Sequence, residues 1–152
     1  MELTPTWEYV ADTVMGGVST GQLDLGPVEG RDAARLTGTV LLDNNGGFVQ
    51  MAFDTGTVGA DRYTGLEIDV LGNGEPYEVR LRTNDLTRPW QAYRAVFTAP
   101  PAWTTIRLPF DSFATHRTEA PLDLAQLRRI GVLAIGRAFE ADIAIAQMRF
   151  YR

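Results

Sequence analysis

Leu66-Glu67-Ile68-Asp69-Val70-Leu71-Gly72-Asn73-Gly74-Glu75-Pro76-Tyr77-Glu78-Val79-Arg80-Leu81-Arg82 is the stretch on which the fold turns. Leu66, Ile68 and Val70 alternate with Glu67 and Asp69. After a glycine-asparagine turn signal, Tyr77, Val79 and Leu81 alternate with Glu78, Arg80 and Arg82. A strand sends successive side chains to opposite faces, so alternation of this kind marks strands with one buried and one polar face. The same period returns in Leu36-Gly38-Val40-Leu42, in Tyr93-Ala95-Phe97 and in Ile106-Leu108-Phe110. Ile130 to Ile135 is apolar on both faces and reads as a central, buried strand, with Ala141 to Tyr151 as a closing one. Helix signal is confined to Asp123–Arg129, where Asp123 is placed to cap a turn or two. About ten short strands and one helical turn predict an all-β fold of two antiparallel sheets, a jelly-roll sandwich filling one domain over 1–152.

The remaining composition narrows function by exclusion. A formal net charge of −5 gives no general surface for phosphate backbones, so no nucleic-acid partner is expected. No apolar run reaches the length of about 18 residues that spans a bilayer, and Met1 to Pro5 lacks the features of a signal peptide. A cytoplasmic chain without a membrane span is the expectation. With no cysteine there is no thiol nucleophile or thiolate zinc site. All 14 basic residues are arginine, which removes Schiff-base and P-loop lysine chemistry. The single histidine, His116, lies in a stretch without a nucleophile-elbow setting near Ser112, and reads as a solvated loop residue. These gaps favour binding over catalysis. Paired carboxylates remain the route by which a hydrolase would work here.

Two glycine-rich signals define loops. Asp12-Thr13-Val14-Met15-Gly16-Gly17-Val18-Ser19 reads as a turn leaving the first strand, with Asp12 and Ser19 hydrogen-bonding its amides and Met15 filling a core gap. Asn44-Asn45-Gly46-Gly47-Phe48 reads as a hairpin turn, with Phe48 opening the next strand inside the core. Trp7 and Trp103 are expected in the core. Trp90, after Thr87-Arg88-Pro89, is either a lid on the end of the sandwich or a stacking platform. The ligand-binding candidates lie on the outer face of the middle strands: Arg80, Arg82, Asn84 and Arg94, with Trp90 and Gln91 at the edge. Clustered guanidiniums suit carboxylates and other anions. The plainer reading of that face is a salt lattice with Glu67, Asp69 and Glu78.

Both glycine-rich strings, together with Tyr77–Arg82, Trp103–Phe113 and Leu122-Asp123-Leu124 before Ile130-Gly131, resemble the complex I intermediate-associated protein family in content and order. The resemblance implies a galactose-binding-like jelly roll and a protein-binding or assembly role, with a protein partner. A carbohydrate-binding module is the first alternative and a carboxylate-based hydrolase the second. No organic cofactor is expected. The one metal that sandwiches of this shape suggest is a structural calcium, for which Asp12 and Glu140 are the candidate ligands and Asp142 an alternate.

Overall fold

The computed structural model describes every residue except Thr57, and describes Asn45 by its backbone alone. The described residues form eleven strands in two antiparallel sheets. The six-stranded sheet runs β1 (Glu8–Ala11), β4 (Phe48–Asp54), β10 (Leu127–Ile135), β6 (Pro76–Thr83), β7 (Ala92–Thr98) and β9 (Ala114–His116). The five-stranded sheet runs β2 (Thr20–Val28), β3 (Arg31–Val40), β11 (Phe139–Tyr151), β5 (Gly65–Leu71) and β8 (Thr104–Pro109). The chain crosses from sheet to sheet at most connections, as a jelly roll requires.

One hydrophobic cluster fills the space between the sheets. Leu66, Ile68 and Val70 face Tyr77, Val79 and Leu81 across it, and Ile130, Val132, Ile143 and Phe150 complete its centre. Each buried aliphatic or aromatic side chain contributes about 1.5–3 kcal/mol relative to exposure, so the alternating strands have one stable way to face. The Tyr77 hydroxyl reaches out of the core: it donates to Asn73 Oδ1 at 2.6 Å and accepts from Asp142 N at 2.9 Å. Burial pushes its pKa up to about 12, so it stays a neutral donor. Asp123 caps a single helical turn at Leu124–Gln126 by accepting from Ala125 N at 3.1 Å. No helix among the described residues is long and apolar enough to cross a membrane.

Several sequence expectations are corrected. Asn44 to Gly47 does not make a hairpin, because it joins β3 and β4, which belong to different sheets. The side chain of Asn45 lies outside the described residues. The tight two-residue hairpin is instead Glu29-Gly30 between β2 and β3, where φ is 45° and 82° and matches the left-handed pair a type I′ turn needs. Phe48 opens β4 but sits on its outer face, since Val49, Met51 and Phe53 are the residues that enter the core. Leu42 lies beyond β3 and is exposed. The closing strand expected over Ala141 to Tyr151 is β11, the last in the chain, and it runs between β3 and β5 in the middle of its sheet. Trp7 packs edge-on against Phe53 at 4.8 Å. Trp103 is half-buried outside the main cluster, with its indole N–H shared between the carbonyls of Val28 and Glu29.

Candidate functional site

The outer face of the six-stranded sheet carries a groove of about 1130 Å³. Its floor follows from register. On one row Ala52, Gly131, Arg80 and Arg94 lie side by side on β4, β10, β6 and β7. The neighbouring row places Val10 beside Gln50, Leu133, Glu78 and Val96. Small side chains at 52 and 131 keep the centre low. A Cβ added at Gly131 would lie 2.6 Å from Gln50 Oε1, so the Gln50 side chain folds into the space that the glycine leaves.

One wall is the loop after β1, and a single buried carboxylate holds it. Asp12 is fully buried. Its Oδ1 accepts from Ser19 N at 3.0 Å, and its Oδ2 accepts from Ser19 Oγ at 2.5 Å, Gly47 N at 2.6 Å and Phe48 N at 3.3 Å. Ser19 Oγ in turn accepts from Leu41 N at 2.9 Å. Burial by itself raises the Asp12 pKa, but these donors outweigh it and hold the carboxyl below its usual value. Gly17 and Gly46 are required by this packing, because a Cβ at either would lie 2.5 Å from an Asp12 carboxyl atom. Asp12 therefore ties the two glycine-rich loops into one unit. Asp12 binds an amide of its own stretch, Ser19 N, as expected, but it also reaches the second loop, and the amide that Ser19 Oγ accepts from is Leu41 N, outside the turn. Met15 is not a core plug. With Val14 it stands exposed on the groove wall.

The opposite wall is the loop between β6 and β7. Trp90 is 55% exposed and lines the groove with Pro89, with the Arg88 guanidinium 5.9 Å from its ring centre. Gln91 shapes this loop rather than the groove: its Oε1 accepts from Thr87 N and Arg88 N, both at 3.0 Å. Asn84 lies off the groove and donates to Gln126 Oε1 at 3.1 Å. Of the candidates named from sequence, the structure thus brings together Arg80, Arg82, Arg94 and Trp90.

It adds Arg129, Arg117 and His116. Arg129 lies beside Arg82 across the β10–β6 pair, and its partners Asp54 and Glu8 stand on the exposed rim. His116 is not a solvated loop residue. It ends β9 opposite Ala92 and lines the groove. Burial, then Arg80, Arg94 and Arg117, lower its pKa. The groove holds five guanidiniums against one lining carboxylate among the described residues, Glu78. Glu78 accepts from Arg80 Nε at 3.0 Å and from Arg94 at 3.3 Å. Arg82 has no carboxylate partner among the described residues. It donates to the carbonyls of Gln91 at 3.2 Å and Arg88 at 3.0 Å. Burial first, and then Arg128 and Arg129, lower its pKa.

The expected salt lattice exists but divides differently. Glu67 and Asp69 lie on β5, on the other sheet, and pair with Arg107, Arg149 and Arg31 rather than with the groove arginines. The calcium candidates do not converge either. Asp12 spends both oxygens on N–H and O–H donors, Glu140 accepts from Thr39 Oγ1 at 2.8 Å, and Asp142 is bidentate with Arg35. No three His, Cys, Asp or Glu side chains gather as a metal cluster among the described residues.

Solved structures share this architecture. The family 11 carbohydrate-binding module from Clostridium thermocellum, in complex with a β-1,3-1,4-mixed-linked tetrasaccharide, superposes with a TM-score of 0.79 at 12% identity. That match covers 99% of this chain and 94% of that one. The family 30 module of the cellulosomal cellulase Cel9D-Cel44B of the same organism gives 0.70 at 14% identity, covering 98% and 94%. An exo-β-agarase structure gives 0.61 at 9% identity, and the match covers 97% of this chain but 24% of that one. At such identities the likeness establishes the fold alone, a jelly-roll sandwich. No curated protein sequence matches the chain. Affiliation comes from the family model, which runs through both loops that Asp12 joins: it matches residues 1–145, and the chain belongs to the complex I intermediate-associated protein 30 family.

Proposed function

We propose that this chain is a non-catalytic binding module that holds a protein partner in the groove on its six-stranded sheet. The observation that carries the reading is the make-up of that groove. Strands fix its floor, an Asp12-anchored loop and the Trp90 loop form its walls, and aliphatic and guanidinium groups line it. Exposed Val14, Met15 and Trp90 beside arginines make the mixture from which protein interfaces draw their anchors. Family membership supports an assembly role, and the family's name attaches to intermediates of complex I. Glycoside hydrolysis needs two facing carboxyls. Glu78 is the one carboxylate among the described lining residues, and two arginines neutralise it.

A carbohydrate ligand is the second reading. It is favoured by Trp90 at the rim of a groove on a fold that glycan-binding modules share. Affinity capture from the native organism's lysate separates the two. Wild type should retain a discrete protein that Arg82→Ala and Gly131→Leu each lose and that Trp90→Ala retains in smaller amount. A captured protein unaffected by all three sinks the groove as the site. Glycan-array binding that Gly131→Leu abolishes, with no protein captured, would favour the sugar.

A further inference from the structure

The groove is divided, and the division runs across its strands. On β1, β4 and the Gly131–Ile135 part of β10 its surface is mainly apolar, with Val10, Phe48, Ala52, Leu133 and Ile135 around the polar Gln50, overhung by Val14 and Met15. Toward β6, β7 and β9 it turns cationic, with Arg129 near the start of β10, Arg80 and Arg82 on β6, Arg94 on β7 and Arg117 just after β9. The carboxylates available to these arginines are too few or too loosely placed to neutralise them. Glu78 is shared by Arg80 and Arg94. The Arg129 partners, Glu8 and Asp54, have side chains 58% and 73% exposed, and ion pairs at such sites are weak and readily exchanged. Arg82 is held by carbonyls alone among the described residues. Neighbouring strands lie about 4.8 Å apart, so six strands span roughly 24 Å, the length of about seven residues of extended chain.

We propose that the groove binds an extended peptide segment of a partner protein in which aliphatic residues are followed by a run of aspartates or glutamates. This rests on the reading of the groove as the partner-binding site and names the chemistry of what enters it. Aliphatic side chains of the segment sit on β1, β4 and β10 under Met15, and its carboxylates take the guanidiniums of β6 and β7 in forked hydrogen bonds. A neutral glycan would leave that charge uncompensated.

Fluorescence anisotropy with a fluorescein-labelled peptide of about eight residues, leucines followed by aspartates, tests this. Each carboxylate–guanidinium pair removed should weaken binding roughly tenfold. The same peptide with lysine for aspartate, or with serine for leucine, should bind at least about tenfold more weakly. Arg80→Ala combined with Arg94→Ala should lose most of the binding. Arg117→Gly removes a guanidinium while suiting the positive φ of 57° at that residue, so it should weaken binding without disturbing the fold. Arg107→Ala, on the other sheet, should change nothing. Equal binding of the aspartate and lysine peptides, or no binding of either, overturns the acidic segment. In that case, loss of the captured lysate protein in Gly131→Leu would still uphold the groove. Peptide binding that survives Gly131→Leu overturns the groove reading itself. Binding of a mixed-linked glucose tetrasaccharide in place of the peptide, lost in Gly131→Leu, keeps the groove and overturns the peptide.

Discussion

The two outer faces of this sandwich use the same residue types to opposite ends. On the five-stranded sheet, Glu67 pairs with Arg107 and Arg149, Asp69 with Arg149 and Arg31, and Asp142 with Arg35. Charge is met by charge within the chain, and hydrogen bonds from Arg149, Thr105 and Arg31 overcome the cost of burial to hold Asp69 at a pKa of about 2. On the six-stranded sheet, five guanidiniums line a concavity with Glu78 as their one lining carboxylate among the described residues. The first arrangement stabilises the fold by itself. The second is left incomplete, and a surface whose hydrogen-bonding capacity is incomplete in the free protein is where a partner adds most.

Charge reversal should expose the contrast most strongly. Arg80→Glu with Arg94→Glu should weaken partner or acidic-peptide binding about 100-fold, roughly 2.7 kcal/mol, measured by calorimetry. The same reversal at Arg107 should leave binding within about twofold. If both faces respond alike, the effect is general electrostatics and the groove has no special role.

Stability should show the reverse pattern. Asp69→Asn should cost about 1–2 kcal/mol at neutral pH, discounted for partial solvent screening, while binding is unchanged. The sign follows from the lowered pKa. Asp69 contributes its full stabilisation above the ordinary aspartate value near 3.8 and loses it as pH falls toward about 2. Denaturant midpoints between pH 5 and pH 2 should therefore fall less steeply in the variant than in wild type. A parallel fall would remove Asp69 from the account.

Ser19→Ala should cost about 1 kcal/mol, because it removes one donor to Asp12 and the acceptor for Leu41 N. It should also loosen the Met15 wall, seen as faster amide exchange at Gly47 and Phe48. Trp90→Ala is the mildest change. It should leave the melting temperature in place and weaken binding about fivefold, since the ring is exposed in the free protein.

How much of this could be read in the sequence follows from how far each feature reaches along the chain. Alternation is local, so the buried faces of Leu66–Val70 and Tyr77–Leu81 were legible, as were Arg80, Arg82 and Arg94 on the face opposite Tyr77, Val79 and Leu81. Trp90 stood out because it follows a proline in a polar loop. Sheet membership is not local. Nothing in Glu67 and Asp69 tells that they lie on one sheet while Glu78 and Arg80 lie on the other, and the two sets read as one lattice. Phe48 reads as a core residue but lies on the outer face, because one residue of register reverses every side chain. The loop before it is set by Asp12, which reaches Gly47 and Phe48 from far away in sequence. Arg129 joins the groove only through the pairing of β10 with β6. Its clue was the run Ile130 to Ile135, apolar on both faces: one face is core, and the other, Gly131, Leu133 and Ile135, is groove floor.

The most direct test is photo-crosslinking with p-benzoylphenylalanine in place of Trp90 at the groove rim or of Arg107 on the opposite sheet, in extract from the native organism. A protein adduct that forms from position 90, is absent from position 107 and disappears when Gly131→Leu fills the groove is the predicted result. Equal adducts from both positions, or an adduct at 90 indifferent to Gly131→Leu, would contradict the assignment of binding to this groove.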